Sequence, residues 1–280
     1  WGTPLPKLLN ELELAPDFQA VSPSKGEEVD LRFTHRRSGS TDLYFVSNPH
    51  AHTVFFHAQF RSSSPRVERW DPVTGKRTLI EVLNSAKETT SIPLTLAPSQ
   101  STFIVFRAGE LAAPTPTESS YRADPVVGPW TVTFSGLSAP TQPLIFSRLV
   151  DWSAHPNDEV RFFSGTATYT HEITWNPLSH QQGPVFLDLG EVTVAAEVSI
   201  NGKVCGIIWT PPYRVEIQSA LRPGKNRLEI RVANTWANRL IGDTRLPEAQ
   251  RSTWTTYHAY TDQSLPVKSG LLGPVRLLSY

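Results

Sequence analysis

The sequence predicts an all-β protein: a small antiparallel β-sandwich, then a jelly-roll β-sandwich, with one short helix in front. Three observations point there. Apolar and polar residues alternate in many short runs, the period of half-buried strands. Prolines number 24 among 280 residues, which disfavours long helices and central strands. Asn201-Gly202 stands between two alternating runs, and this pair suits a two-residue hairpin whose turn residues both take positive φ.

The elements follow in order. Leu5, Leu8, Leu9 and Leu12 recur at helical spacing, and Pro16 ends the pattern. "DLRFTHR" and "TDLYFVSN" flank "RSGS" as a hairpin. "HTVFFHAQF" follows, then "PRVERWDPVTGKRTLI" with its turn at Asp71-Pro72 to Gly75. "TTSIPLTLAPSQSTFIVFR" supplies two more strands around a Pro-Ser turn. Residues 109–129, rich in Pro, Ala, Ser and Thr and without periodicity, are the expected linker. The predicted division is therefore a lead-in over 1–28, a sandwich over 29–108, the linker, and a second sandwich over 130–280.

The second block offers "WTVTF", "PLIFSRLV", "GTATYTHEITW", "PVFLDLG", "TVAAEVSI", "KVCGIIW", "YRVEI", "NRLEIRVAN" and "PVRLL" as strands. Val194, Ala196, Val198 and Ile200 fall on one face, and Leu228, Ile230 and Val232 repeat the pattern. One buried face over eight or nine strands suggests the jelly roll.

Composition narrows the function. Basic and acidic residues balance at 26 each, so no net field draws the chain to nucleic acid or anionic lipid. No apolar run is long enough to span a bilayer as a helix. Cys205 is the only cysteine, which excludes an intramolecular disulfide and a cysteine metal cage; it reads as a small buried residue. Methionine is absent, even at position 1, and no signal-peptide pattern opens the chain, so a fragment or processed form of something longer is expected.

No catalytic signature stands out: there is no GxSxG, HExxH, Walker or GxGxxG pattern. His50, His52 and His57 lack an evident third metal ligand and read as strand surface. Glu172, Asp188, Glu191, Glu197 and Asp243 are conceivable glycosidase carboxylates, but any β protein has as many, and Glu197 and Glu229 alternate with core residues as solvent-facing strand positions do. The aromatics carry more. Trp130 and Trp175 lie within strands and read as core, whereas Trp152, Trp209, Trp236 and Trp254 lie in polar, loop-like contexts. Aromatic faces stack on the C–H faces of sugars while polar side chains take the hydroxyls. Tyr213 of "WTPPY", and Asn234, Asn238, Arg239 and Asp243 around Trp236, complete the candidate carbohydrate-binding or interface set.

"FFSGTATYTHEITW", "LDLGEVTVAAEVSINGKVCGIIWTPPYRVEI" and "LRPGKNRLEIRVANTWANRLIGD" resemble the galactose-binding-like jelly-roll domain of glycoside hydrolase family 2 and its relatives. "WGTPLPKLLNELELAPDF", "FTHRRSGSTDLYFVSN", "WDPVTGK" and "SGLLGPVRLL" resemble the C-terminal region of family 106, the α-L-rhamnosidases. The resemblance implies a non-catalytic β region of a secreted or periplasmic bacterial enzyme, whose catalytic barrel lies N-terminal to it. It implies a rhamnose-containing poly- or oligosaccharide and that catalytic domain as partners, and neither nucleic acid nor membrane. Sandwiches of this kind often hold a structural Ca²⁺, although no calcium loop is evident here; no other cofactor is expected. Two alternatives stay open: a scaffold that binds no sugar by itself, and a self-contained hydrolase with unrecognised carboxylates.

Overall fold

The computed structural model describes residues 2, 4–12, 14–24, 26–64, 66–80, 82–85, 88–109, 121–177 and 183–279. The chain divides into two compact units, Trp1–Thr117 and Glu118–Tyr280. Among the described residues every strand pairing between named strands is antiparallel, as expected of an all-β protein.

The first unit packs two sheets. One orders the strands Phe18–Val21, Val54–Phe60, Thr90–Leu96 and Asn84–Ser85; the other orders Arg32–Ser38, Thr41–Ser47, Ser101–Arg107, Arg66–Trp70 and Arg77–Leu79. Alternation sends Tyr44, Phe56, Phe60, Ile92, Ile104 and Phe106 inward to one core. The expected turns form: Asp71 Oδ1 accepts from the backbone N–H groups of Val73 and Thr74. Asp42 is buried, yet it accepts from Arg37 Nε and Nη2 and from Ser62 Oγ, which compensates its charge. Residues 18–21, expected in a lead-in, instead add an edge strand to the first sheet, with Phe18 opposite Phe60. The helix Leu5–Glu11 forms where the leucine spacing placed it, but Leu5, Leu8, Leu9 and Leu12 are exposed.

The second unit holds a six-stranded sheet in the order Leu144–Phe146, Trp130–Ser135, Thr166–Trp175, Gly224–Ala233, Ala195–Ile200 and Lys203–Ile208. A four-stranded sheet runs Arg122–Pro125, Arg276–Ser279, Val185–Asp188 and Arg214–Glu216, and Glu191–Val192 pairs with Leu271–Gly273. The core takes Val132, Tyr169, Val198, Leu228 and Ile230 with Leu187 and Leu277. At the hairpin, Asn201 and Gly202 have φ of 52° and 79°, the positive values that the pair was expected to adopt.

Two expectations need correction. Residues 110–120 of the expected linker lie outside the described residues, but 122–125 form a strand against Arg276–Ser279. Val194 is half exposed rather than core: its φ of 70° puts it in a bend, and the buried alternation starts at Ala196.

Candidate functional site

"NTWANRLIGD" reads as a polar loop, but Ala237–Thr244 is a helix. Its polar residues point inward because they tie down the long segment that follows. Asn238 is buried; its Nδ2 donates to Val267 O (2.7 Å) and Ser269 Oγ (3.2 Å), and its Oδ1 accepts from Val267 N (2.7 Å). About one and a half turns further on, Asp243 is 3% exposed. Its carboxylate accepts from the backbone N–H of Ser252 (3.0 Å) and Thr253 (2.7 Å), from both hydroxyls, and from Arg239 Nη2 (2.8 Å).

Burial works against the Asp243 charge, but the Thr253 hydrogen bond and the Arg239 guanidinium outweigh it and hold the carboxyl below the usual aspartate value. Because the carboxylate is saturated by the loop, Arg239 gets only one bond from it. Among the described residues Arg239 Nε is the one buried side-chain nitrogen or oxygen without a partner.

The strand end feeding this helix is pinned too. Asn234 Nδ2 donates to Phe163 O, and Asn234 Oδ1 accepts from Thr235 N. The far end of the segment is held by Asp151, whose Oδ1 accepts from Ser269 N (3.0 Å). Between these anchors, apolar and aromatic side chains face outward. Trp254 is 84% exposed, immediately after the two residues that Asp243 grips; Tyr257, Leu265 and Val267 are exposed as well. Trp236, at the N-cap of the helix, is 60% exposed.

The candidate residues therefore separate. Trp236 and Trp254 are surface aromatics, while Asn238, Arg239 and Asp243 are buried supports rather than ligand-facing groups. Trp152 is also not a surface group. It is fully buried among Phe134, Phe163 and Tyr169 and donates from Nε1 to Tyr169 Oη at 2.7 Å. Polar neighbours in "VDWSAHPND" hid this, since Asp151 caps the short 3₁₀ turn Trp152–Ala154 and leaves Trp152 free to point inward. Trp209 is exposed, just past the edge strand Lys203–Ile208, whereas Tyr213 is half-buried and packs on the core. Trp130 is core, and Trp175 packs against it. Sequence reasoning did not single out Tyr257, Ser252 or Thr253, although "STWTTYHAYTD" contains all three, because the bonds from Ser252 and Thr253 to Asp243 join residues nine and ten positions apart.

Three of the conceivable carboxylates are engaged separately. Glu172 pairs with Lys225, Glu191 with Lys268, and Asp243 with Arg239. A glycosidase acid must keep its proton near neutrality; Asp243 is shifted the other way. His50 and His52 stack on each other, and His50 Nε2 bonds Asp30 O. Among the described residues no three His, Cys, Asp or Glu side chains gather to hold a metal. What the surface can do is stack aromatic rings on an apolar face, on a loop held rigid from beneath.

Comparison with known proteins matches two parts of the chain. Residues 1–83 match the family profile of glycoside hydrolase family 106, α-L-rhamnosidase. Residues 153–265, which contain the helix and its loop, match the galactose-binding domain-like profile of glycosyl hydrolase family 2. The solved rhamnosidase of Novosphingobium sp. PP1Y is 35% identical, with a TM-score of 0.86, over 99% of this chain and 26% of its own. A candidate β-glucuronidase of Formosa agariphila is 33% identical over 177 residues, 54% of this chain and 15% of that protein. The chain thus spans about a quarter of the one relative and less of the other.

Proposed function

We propose, starting from a chain that resembles family 106 rhamnosidases and carries a family 2-type galactose-binding-like domain, that it is a non-catalytic β region of a rhamnosidase-like glycoside hydrolase. It contacts carbohydrate through the aromatic loop of its second unit, and bond cleavage belongs to another part of a longer protein. The ligand class is a rhamnose-containing oligo- or polysaccharide, met outside the cytoplasm. One observation carries this: Trp254 is 84% exposed on a segment whose preceding two residues are locked to a buried carboxylate. An aromatic ring displayed in water on a rigid support costs solvation and suits a ligand with an apolar face.

Tryptophan emission tests it. Rhamnose-containing oligosaccharides are expected to shift the emission of the chain, and Trp254→Ala to abolish the shift. The chain alone is expected not to hydrolyse an α-L-rhamnoside; hydrolysis would overturn the non-catalytic assignment.

A second use of the surface is favoured by different residues. Leu5, Leu8, Leu9 and Leu12 on the helix Leu5–Glu11, and Val204 and Ile207 on an edge strand, are exposed apolar groups without stacking geometry. They suit packing against a catalytic domain of the same parent protein.

A further inference from the structure

In the first unit, Val67 faces the core, so its strand neighbours Arg66 and Glu68, with Trp70, lie on the opposite face of the sheet. The register sets Arg66 directly across from Arg107, and Trp70 across from Arg77. Like charges directly opposite each other in a ladder are destabilising. The three guanidinium groups nevertheless share one hollow of about 240 Å³, lined by Arg66, Arg77 and Arg107 with Glu68, Thr78 and Leu79.

Among the described residues Glu68 is the one carboxylate in that lining, and it is already committed. Its Oε1 accepts from Arg66 Nε at 2.6 Å and its Oε2 from Trp70 Nε1 at 2.8 Å. Arg107 Nη1 stands 3.7 Å from Oε2, beyond hydrogen-bond reach. Arg77 lies over the Trp70 ring, 4.2 Å from its centroid, and makes no ion pair with a described residue. Among the described residues of the lining, three positive charges thus meet one negative one, and no carboxylate there accepts a hydrogen bond from Arg77 or Arg107.

We propose that this hollow is an oxyanion-binding site, taking a carboxylate or sulfate group between Arg77 and Arg107, with Arg66 and Glu68 as its fixed floor. Guanidinium forks match the planar oxygens of such groups and pair with them in bidentate fashion. The hollow is smaller than the roughly 300–1,000 Å³ of pockets for drug-sized ligands, so it fits one charged group rather than a whole cofactor. A bound anion also relieves the Arg66–Arg107 repulsion, so occupation stabilises the first unit.

Titration calorimetry and thermal unfolding with three probes separate the outcomes: inorganic sulfate, sodium glucuronate and neutral rhamnose. Sulfate or glucuronate is expected to bind and to raise the melting temperature, with affinity falling as sodium chloride is added. Arg77→Gln and Arg107→Gln are each expected to weaken it about tenfold or more, the equivalent of about 1.4 kcal/mol. Sulfate binding alone identifies a sulfate site and glucuronate binding alone a carboxylate site. No binding of either anion overturns the proposal, as does equal binding of rhamnose or affinity unchanged in both folded variants.

Discussion

Asp243 Oδ2 accepts both the hydroxyl (2.6 Å) and the backbone N–H (2.7 Å) of Thr253, so a buried helix carboxylate fixes the residue next to Trp254, the most exposed tryptophan among the described residues. Sequence separation is ten residues, and the bonds run from the last turn of the helix to the loop. The loop is consequently part of the fold rather than an appendage to it.

Removing that carboxylate is expected to be severe. Asp243→Ala leaves Arg239 charged and buried, with the loop N–H donors unpaired. Breaking one side of a buried pair costs about 3–5 kcal/mol, and denaturant unfolding measures it. Thr253→Val, which removes one bond to a charged group, is expected to cost about 1.5–3 kcal/mol.

Trp254→Ala is the contrasting case. An exposed side chain with no buried contacts is expected to change stability by no more than about 0.5 kcal/mol. Thermal unfolding of the two variants together separates the support from what it displays.

Gly270 has φ of +104°, and a Cβ there would lie 2.7 Å from Trp152 Nε1. Gly270→Ala therefore combines a strained backbone with displacement of a core indole that is bonded to Tyr169. A loss of at least about 2 kcal/mol is expected, with a reduced near-ultraviolet circular dichroism signal from Trp152.

Acid is expected to weaken both units. In Asp42, Glu68 and Asp243 burial opposes the charge, but Arg37 and Ser62, Trp70 and Arg66, and Thr253 and Arg239 respectively outweigh it and lower each carboxyl. A folded value below the unfolded one means that the unfolded chain binds more protons. The stabilisation is thus complete above about pH 5 and is lost as pH falls through the ordinary carboxylate values near 4 and below. Melting temperatures followed from pH 7 to pH 3 should fall over that range, and a flat profile would contradict the ion-pair assignments.

Local chemistry made most of the fold legible. Asn201-Gly202 specified its hairpin, and the Leu228, Ile230, Val232 alternation specified a core face, because both signals sit within a few residues. What escaped depended on distant partners. Arg122–Pro125 becomes a strand only by pairing with Arg276–Ser279, about 150 residues away, and has no alternation of its own. The helix Ala237–Thr244 buries Asn238, Arg239 and Asp243, inverting the polar-out pattern by which a surface helix is recognised, since their partners lie at 252–253 and 267–269. The site was half legible for the same reason. Trp236 and Trp254 stood out as aromatics in polar surroundings and are exposed, but the same signal chose Trp152, whose Tyr169 partner turns it inward.

Saturation-transfer NMR of this chain with rhamnose-containing oligosaccharides tests most directly whether the aromatic loop meets sugar. Transfer to sugar ring protons is expected, strongly reduced in Trp254→Ala and Trp236→Ala at unchanged melting temperature. Transfer to none of the oligosaccharides, or transfer undiminished in both variants, would contradict a carbohydrate contact at that loop.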